Sequence, residues 1–262
     1  MKLLFVILFN LALIVGTCVG QQTFDSTTLR INVLVGKSNN NTITDAEKGE
    51  LRMYIFKIQN KGFMLDEHQA DYNGALVEID KALLLWSAIG DTLSMANLKK
   101  YKGYLYGKLL QFSKGKQELN TAISLFSAKQ FESGVAVSYH DFSLLYEMEK
   151  KLDSALFYEN AALKYWQSQN DTFRIIVSNN QLIHIYTKQN NLDHAIEIQT
   201  ITENMIHKFN LHWNPLINFY YVSYLLCKKK KNSKLSNHYK KLYGSKIDEL
   251  KKDNINAKSM YE

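Results

Sequence analysis

Ala82-Leu83-Leu84-Leu85-Trp86-Ser87, Ala122-Ile123-Ser124-Leu125-Phe126-Ser127 and Ala162-Leu163-Lys164-Tyr165-Trp166-Gln167 are one phrase written three times, forty residues apart. A fixed period of this length, with small and apolar residues in register, is the mark of stacked helical pairs. None of these pairs buries its apolar face alone, so the fold is read as a stack rather than a globule. One proline in 262 residues and few glycines favour long helices and argue against a turn-rich β fold.

Working outward, the units phase as 52–91, 92–131, 132–171, 172–211 and 212–251. The third is the clearest. Its first helix is predicted from about Ser133 to Glu149, with Val137, Phe142, Leu145 and Tyr146 at helical spacing. Lys150-Lys151-Leu152-Asp153 forms the turn. A second helix follows to about Ser168, carrying Ala155, Leu156, Ala162, Leu163 and Trp166. Asp171 or Thr172 is placed to cap the next helix.

This unit resembles the tetratricopeptide repeat, which places a tyrosine late in its first helix and two small residues seven apart in its second. Here those are Tyr146, Ala155 and Ala162. Tyr106 and Ala122 match in the second unit, Tyr186 and Ala195 in the fourth. Departures are also present. Lys102 stands where an apolar residue is expected, Asp66 replaces the tyrosine of the first unit, and Thr202 and Glu203 replace a small-apolar pair. The fifth unit keeps Val222 and Leu226 but has Leu235 and Leu242 at its small positions, so it is read as a terminal cap or a looser pair. The resemblance covers residues 52–251. It implies an all-α, right-handed superhelical solenoid of antiparallel helix pairs, with about five repeats.

Residues 1–20 read as an export signal. Lys2 supplies the positive start, Leu3 to Gly16 is apolar except for Asn10, and Cys18-Val19-Gly20 offers small residues before Gln21. An uncleaved membrane anchor and a lipid-modified Cys18 are the alternatives. Residues 21–51 are expected to be a lead-in that is partly disordered or forms a short capping helix around Leu29, Val33 and Leu34, and residues 252–262 are expected to fray. With Cys18 in the leader, Cys227 stands alone in the mature chain and is read as a small buried residue. Export would place the protein in the periplasm or outside the cell.

The net charge of +7 is concentrated at one end. Residues 212–262 hold eleven lysines against four acids, while the rest of the chain holds twenty-one basic and twenty-one acidic residues. Lys228 to Lys231 therefore offer contact with an anionic surface or polymer. Nucleic acid is disfavoured as a partner, because no arginine-aromatic reading motif accompanies the lysines.

No catalytic or metal constellation emerges. The seven histidines include no pair four apart with a glutamate between them, and there is no glycine-rich phosphate loop or nucleophile elbow. His140 and Asp141 are neighbours on a helix and so point different ways. Asp66-Glu67-His68 reads as a solvated helix end. The expectation is a protein without cofactor or enzymatic activity. The sequons Asn40-Asn41-Thr42 and Asn170-Asp171-Thr172 matter only in a eukaryotic secretory route.

The resemblance also implies that the first helices line a concave wall. It assigns to that wall Asn97, Lys100, Tyr104 and Lys108 from the second unit. The third contributes His140, Leu144 and Glu147, the fourth Asn180, His184 and Lys188, and the fifth Tyr220 and Tyr224. Tyrosines give rigid anchoring area with a polar tip, and amides can bond an extended backbone. Several of these side chains are equally expected to pack between neighbouring first helices. The family's clamp for a C-terminal carboxylate is not reproduced. The implied function is a non-catalytic scaffold that binds a peptide or protein, similar to the exported repeat regions of bacterial membrane-bound sensors and regulators. The alternative is association with a membrane or polyanion through the lysine-rich end.

Overall fold

The computed structural model describes residues 26–209 and 214–259, apart from the side chains of Glu67, His68, Asn214, Pro215 and 253–259. The leader proposed at 1–20 lies outside the described residues. Those described are helical throughout, with no strand among them. The helices are α1 (Ser26–Asn39), α2 (Asp45–Gln69), α3 (Tyr72–Ile89), α4 (Thr92–Lys108), α5 (Phe112–Ala128) and α6 (Glu132–Met148). They continue as α7 (Leu152–Ser168), α8 (Thr172–Lys188), α9 (Leu192–Phe209), α10 (Asn214–Lys229) and α11 (Ser233–Ser259). No helix among the described residues is long and apolar enough to cross a membrane.

The chain divides into two compact units, with the boundary between Ile55 and Phe56, inside α2. In the first, α1 and the start of α2 are tied by a two-pronged Arg30–Glu50 pair at 2.6 and 2.9 Å. Lys37 bonds Glu47. Thr44 and Glu47 form a reciprocal capping box. The Glu47 N–H donates to the Thr44 hydroxyl at 3.3 Å, and the Thr44 N–H donates to the Glu47 carboxylate at 3.0 Å. Hydrogen bonding from Lys37 and the Thr44 backbone lowers the Glu47 carboxyl pKa to about 2. Helix α2 thus starts at Asp45, seven residues before the boundary read from the repeat.

The second unit is a stack of helix pairs. Helices α5, α7 and α9 each pack on their own first helix and on the first helix of the next pair, and the first helices α4, α6, α8 and α10 touch in succession. The period that organises it is twenty residues, half of the forty seen in the sequence. Helices α4 to α8 are each 17 residues long. The residue two before each helix start takes a left-handed conformation at Ala70, Gly90, Leu110, Gln130, Lys150, Asn170 and Asn190. In the six turns after Gly90 and its successors, the last N–H returns to the carbonyl five residues back at 2.8–3.2 Å. Those carbonyls belong to Trp86, Tyr106, Phe126, Tyr146, Trp166 and Tyr186, an aromatic residue every twenty positions. This left-handed turn caps the orphan carbonyls at a helix end and reverses the chain.

The small residues sit where close approach demands them. Ala75, Ala82, Ala122, Ala155, Ala162 and Ala195 are fully buried. Gly103 and Gly115 face each other between α4 and α5: a Cβ on Gly103 would stand 2.7 Å from Leu119 Cγ. Tyr106, Tyr146 and Tyr186 are half-buried, each against its own pair. Tyr146 stacks on Tyr158 at 5.4 Å, and Tyr186 on His194 at 5.4 Å.

The departures from the repeat have specific partners. Lys102 is buried and bridges Asp80 at 2.6 Å and Glu118 at 3.0 Å, so its charge is paired within the α3–α5 packing. Asp66 accepts a 2.6 Å hydrogen bond from the Tyr101 hydroxyl. Thr202 is buried and bonds its own helix at the Ile198 carbonyl. In the last pair Val222, Leu226 and Cys227 are buried with Phe219 and Tyr239, while Leu235 is 45% exposed and Leu242 half-buried. Burial raises the Cys227 thiol pKa. Helix α11 continues to Ser259, past the point where fraying was expected, and is ten residues longer than the 17-residue helices.

Candidate interaction surface

The wall of first helices is built by α4, α6, α8 and α10, each in contact with the next. On α4, Lys100 reaches Asp141 of α6 at 3.4 Å. Tyr104 is half-buried, stacked on Tyr101 at 5.9 Å, with the Lys108 ammonium 5.1 Å from its ring centre. Burial raises the Tyr104 hydroxyl pKa. Tyr104, Asp141, Leu144 and Met148 line a crevice no larger than one water. Asn97 is exposed and donates to the Leu93 carbonyl of its own helix at 3.1 Å.

Between α6 and α8 the wall is sealed by charge. Glu147 is buried and accepts from Gln181 at 2.7 Å and from Lys188, with His184 at 3.5 Å. Burial works against its charge, but His184, Lys188 and Gln181 outweigh it and hold its pKa below the usual carboxylate value. His184 moves the other way, because burial outweighs Glu147 and lowers its pKa. Asn180 is fully buried.

Two of the expected residues turn elsewhere. His140 sits 3.0 Å from both oxygens of Glu159, a fully buried carboxylate on α7. It therefore faces its own pair. Burial disfavours its positive form, but Glu159 prevails and raises its pKa. Tyr220 packs against Phe219 and Tyr239 at 6.0 and 6.4 Å, inside the terminal core. Tyr224 is half-buried there too, with Lys228 5.8 Å from its ring centre.

The structure thus brings Lys100, Tyr104, Lys108 and Leu144 together near Asp141, and gathers His184, Lys188 and Gln181 around Glu147. Asp141, Gln181 and Glu159 were missed in the sequence. Glu159 carries a readable signal: it falls on the stripe Ala155, Ala162, Trp166, all buried at helical spacing. Asp141 and Lys100 lie forty-one residues apart, one repeat plus one residue, which marks them as neighbours on successive first helices. Among the described residues no group of three or more histidine, cysteine or carboxylate side chains is placed to hold a metal ion.

No protein-family model matches the chain, and no curated protein matches it in sequence. Solved structures do. The BtubC (BKLC) protein of P. vanneervenii is similar with a TM-score of 0.61 at 15% identity, over 86% of this chain and 92% of that one. A putative kinesin light chain of P. anserina with nearly identical TPR-like repeats is similar with a TM-score of 0.57 at 9% identity. That match covers 76% of this chain and 97% of the other. At these identities the likeness is one of fold: the chain is a helical repeat protein of TPR-like architecture.

Proposed function

We propose that this chain is a non-catalytic scaffold that holds a peptide or protein segment against its wall of first helices, outside the cytoplasm. The TPR-like fold makes protein interaction plausible, and such folds are generally scaffolds rather than enzymes. The observation that carries the reading is an aromatic-cation pair four residues apart on three of the four first helices of the wall, α6 carrying Leu144 and Met148 at the same places. Tyr104 and Lys108, His184 and Lys188, and Tyr224 and Lys228 recur in register, with all three lysines exposed. Such pairs offer flat contact area and a charge at helical intervals. Location outside the cytoplasm rests on the leader sequence and is tested by mass spectrometry of the mature N-terminus.

The test compares partner recovery by wild type, a wall variant (Tyr104→Ala, Lys108→Ala, Tyr224→Ala) and an outer-face variant (Phe157→Ala, Ile201→Asn). Loss confined to the wall variant supports the reading. Equal recovery by wild type and wall variant removes it. A second reading is contact with an anionic surface, favoured by Lys229, Lys230 and Lys231, which are exposed and in no ion pair among the described residues. It predicts liposome binding that falls steeply with salt and is lost on truncation after Leu226.

A further inference from the structure

We propose that the cleft between α5, α6 and α7 is a binding site for a free organic cation of the quaternary ammonium type. The cleft holds about 380 Å³, and its lining includes Phe131, Glu132, Tyr139 and Tyr165. That volume suits a small ligand.

The repeats themselves supply the control. Position 131 is aspartate one unit earlier and one unit later, at Asp91 and Asp171. Position 139 is Lys99 and Asn179, position 165 is Leu125 and Met205, and position 132 is Thr92 and Thr172. Only the central unit of these three carries three aromatic rings and a carboxylate at these places. The change runs against local stability. Asp91 and Asp171 accept the N–H of Ser94 and Arg174 at 3.0 Å and cap their helices, whereas Phe131 leaves α6 with no side-chain cap. Gly134 leaves room for two rings: a Cβ there would stand 2.5 Å from the buried Phe126 and 2.6 Å from Phe131, and its sister positions are Ser94 and Arg174. A repeat that gives up a cap to place an exposed ring at the mouth of a cleft departs from its own pattern in the way functional sites do.

The chemistry of the lining selects the ligand. Ring faces carry negative charge density and attract cations whose charge is spread over alkyl groups. Glu132 is exposed and in no ion pair among the described residues, so its carboxylate is available to a cation. A quaternary ammonium needs no hydrogen-bond acceptor, and three rings with one carboxylate satisfy it. The residues that line this cleft are distinct from Tyr104, Asp141, Leu144 and Met148, which line the crevice of the wall, so the site is independent of the function proposed there.

Calorimetric titration of the full chain tests the assignment, with choline as probe, 3,3-dimethylbutan-1-ol as its neutral isostere and N-acetylarginine amide as the side-chain analogue. Choline is expected to bind about tenfold more tightly than the isostere. Tyr165→Leu, which copies Leu125 of the preceding unit, is expected to weaken choline about tenfold, and Glu132→Gln severalfold, with melting temperatures that show an intact fold. Equal binding of the isostere, unchanged binding in Tyr165→Leu, or no binding of choline overturns the site. Tighter binding of the arginine analogue overturns the free-ligand assignment in favour of a partner's side chain.

Discussion

At the scale of single residues the fold tolerates strain wherever its turns are not glycine. Six of the seven left-handed turn positions between Ala70 and Asn190 carry a Cβ, and only Gly90 does not. Leu110 is the clearest case, at φ 58° and 71% exposed, so its side chain contributes little to offset the conformation. Leu110→Gly is predicted to raise stability by about 0.5–1 kcal/mol, measured by urea unfolding, because relief of left-handed strain exceeds the entropy glycine loses. Titration at two buried pairs runs in opposite directions. The His140 pKa is raised above 6.5 by Glu159, so its contribution is full below that value and is lost as pH rises through the higher folded value. His140→Gln should therefore flatten the fall in melting temperature above neutrality. Glu147 is depressed below 4.5, so its contribution is present above that value and is lost as pH falls through the lower folded value. Glu147→Gln should flatten the acid side of the same profile and leave the basic side unchanged.

At the scale of helices, packing distance is set by small residues. Gly103 and Gly115 allow α4 and α5 to approach until the Gly103 carbonyl lies 3.0 Å from a Cβ built on Gly115. Gly103→Ala is predicted to cost about 1–3 kcal/mol in thermal unfolding, since Leu119 must move within a packed interface. Gly36→Ala, with nothing nearby, is the matched control. The helix pairs, the buried alanines and the late tyrosines were legible because their residue types recur every forty positions. The shorter twenty-residue period was hidden for two physical reasons. First and second helices use different residues at their close contacts, so their sequences do not align by eye. The turn position is filled by alanine, glycine, leucine, glutamine, lysine or asparagine, so glycine marks it only once, at Gly90. The candidate wall was less legible. His140 and Asn180 are polar residues, read as facing a groove, yet His140 shares its stripe with buried Ala136, Ser143 and Glu147, and its direction depends on a buried partner that a single period does not specify.

At the scale of the whole molecule, the stacked pairs of the second unit have only neighbours to bury against. Their two kinds of helix leave different faces free: first helices contact one another and present Tyr104, Lys108, Lys188 and Lys228, while second helices turn Phe157 and Ile201 outward. Gln181 and Lys188 closing over Glu147 keep neighbouring first helices at a set spacing, so a partner would meet a wall already formed. The most direct measurement is residue-specific photo-crosslinking in cells, with the crosslinker placed in turn at Tyr104, Leu144 and Lys188 and at Phe157, Asn160 and Ile201. Adducts to one shared polypeptide are expected from the first three positions and none from the last three. The same adduct from the outer positions, or none from the wall, would contradict the proposed function.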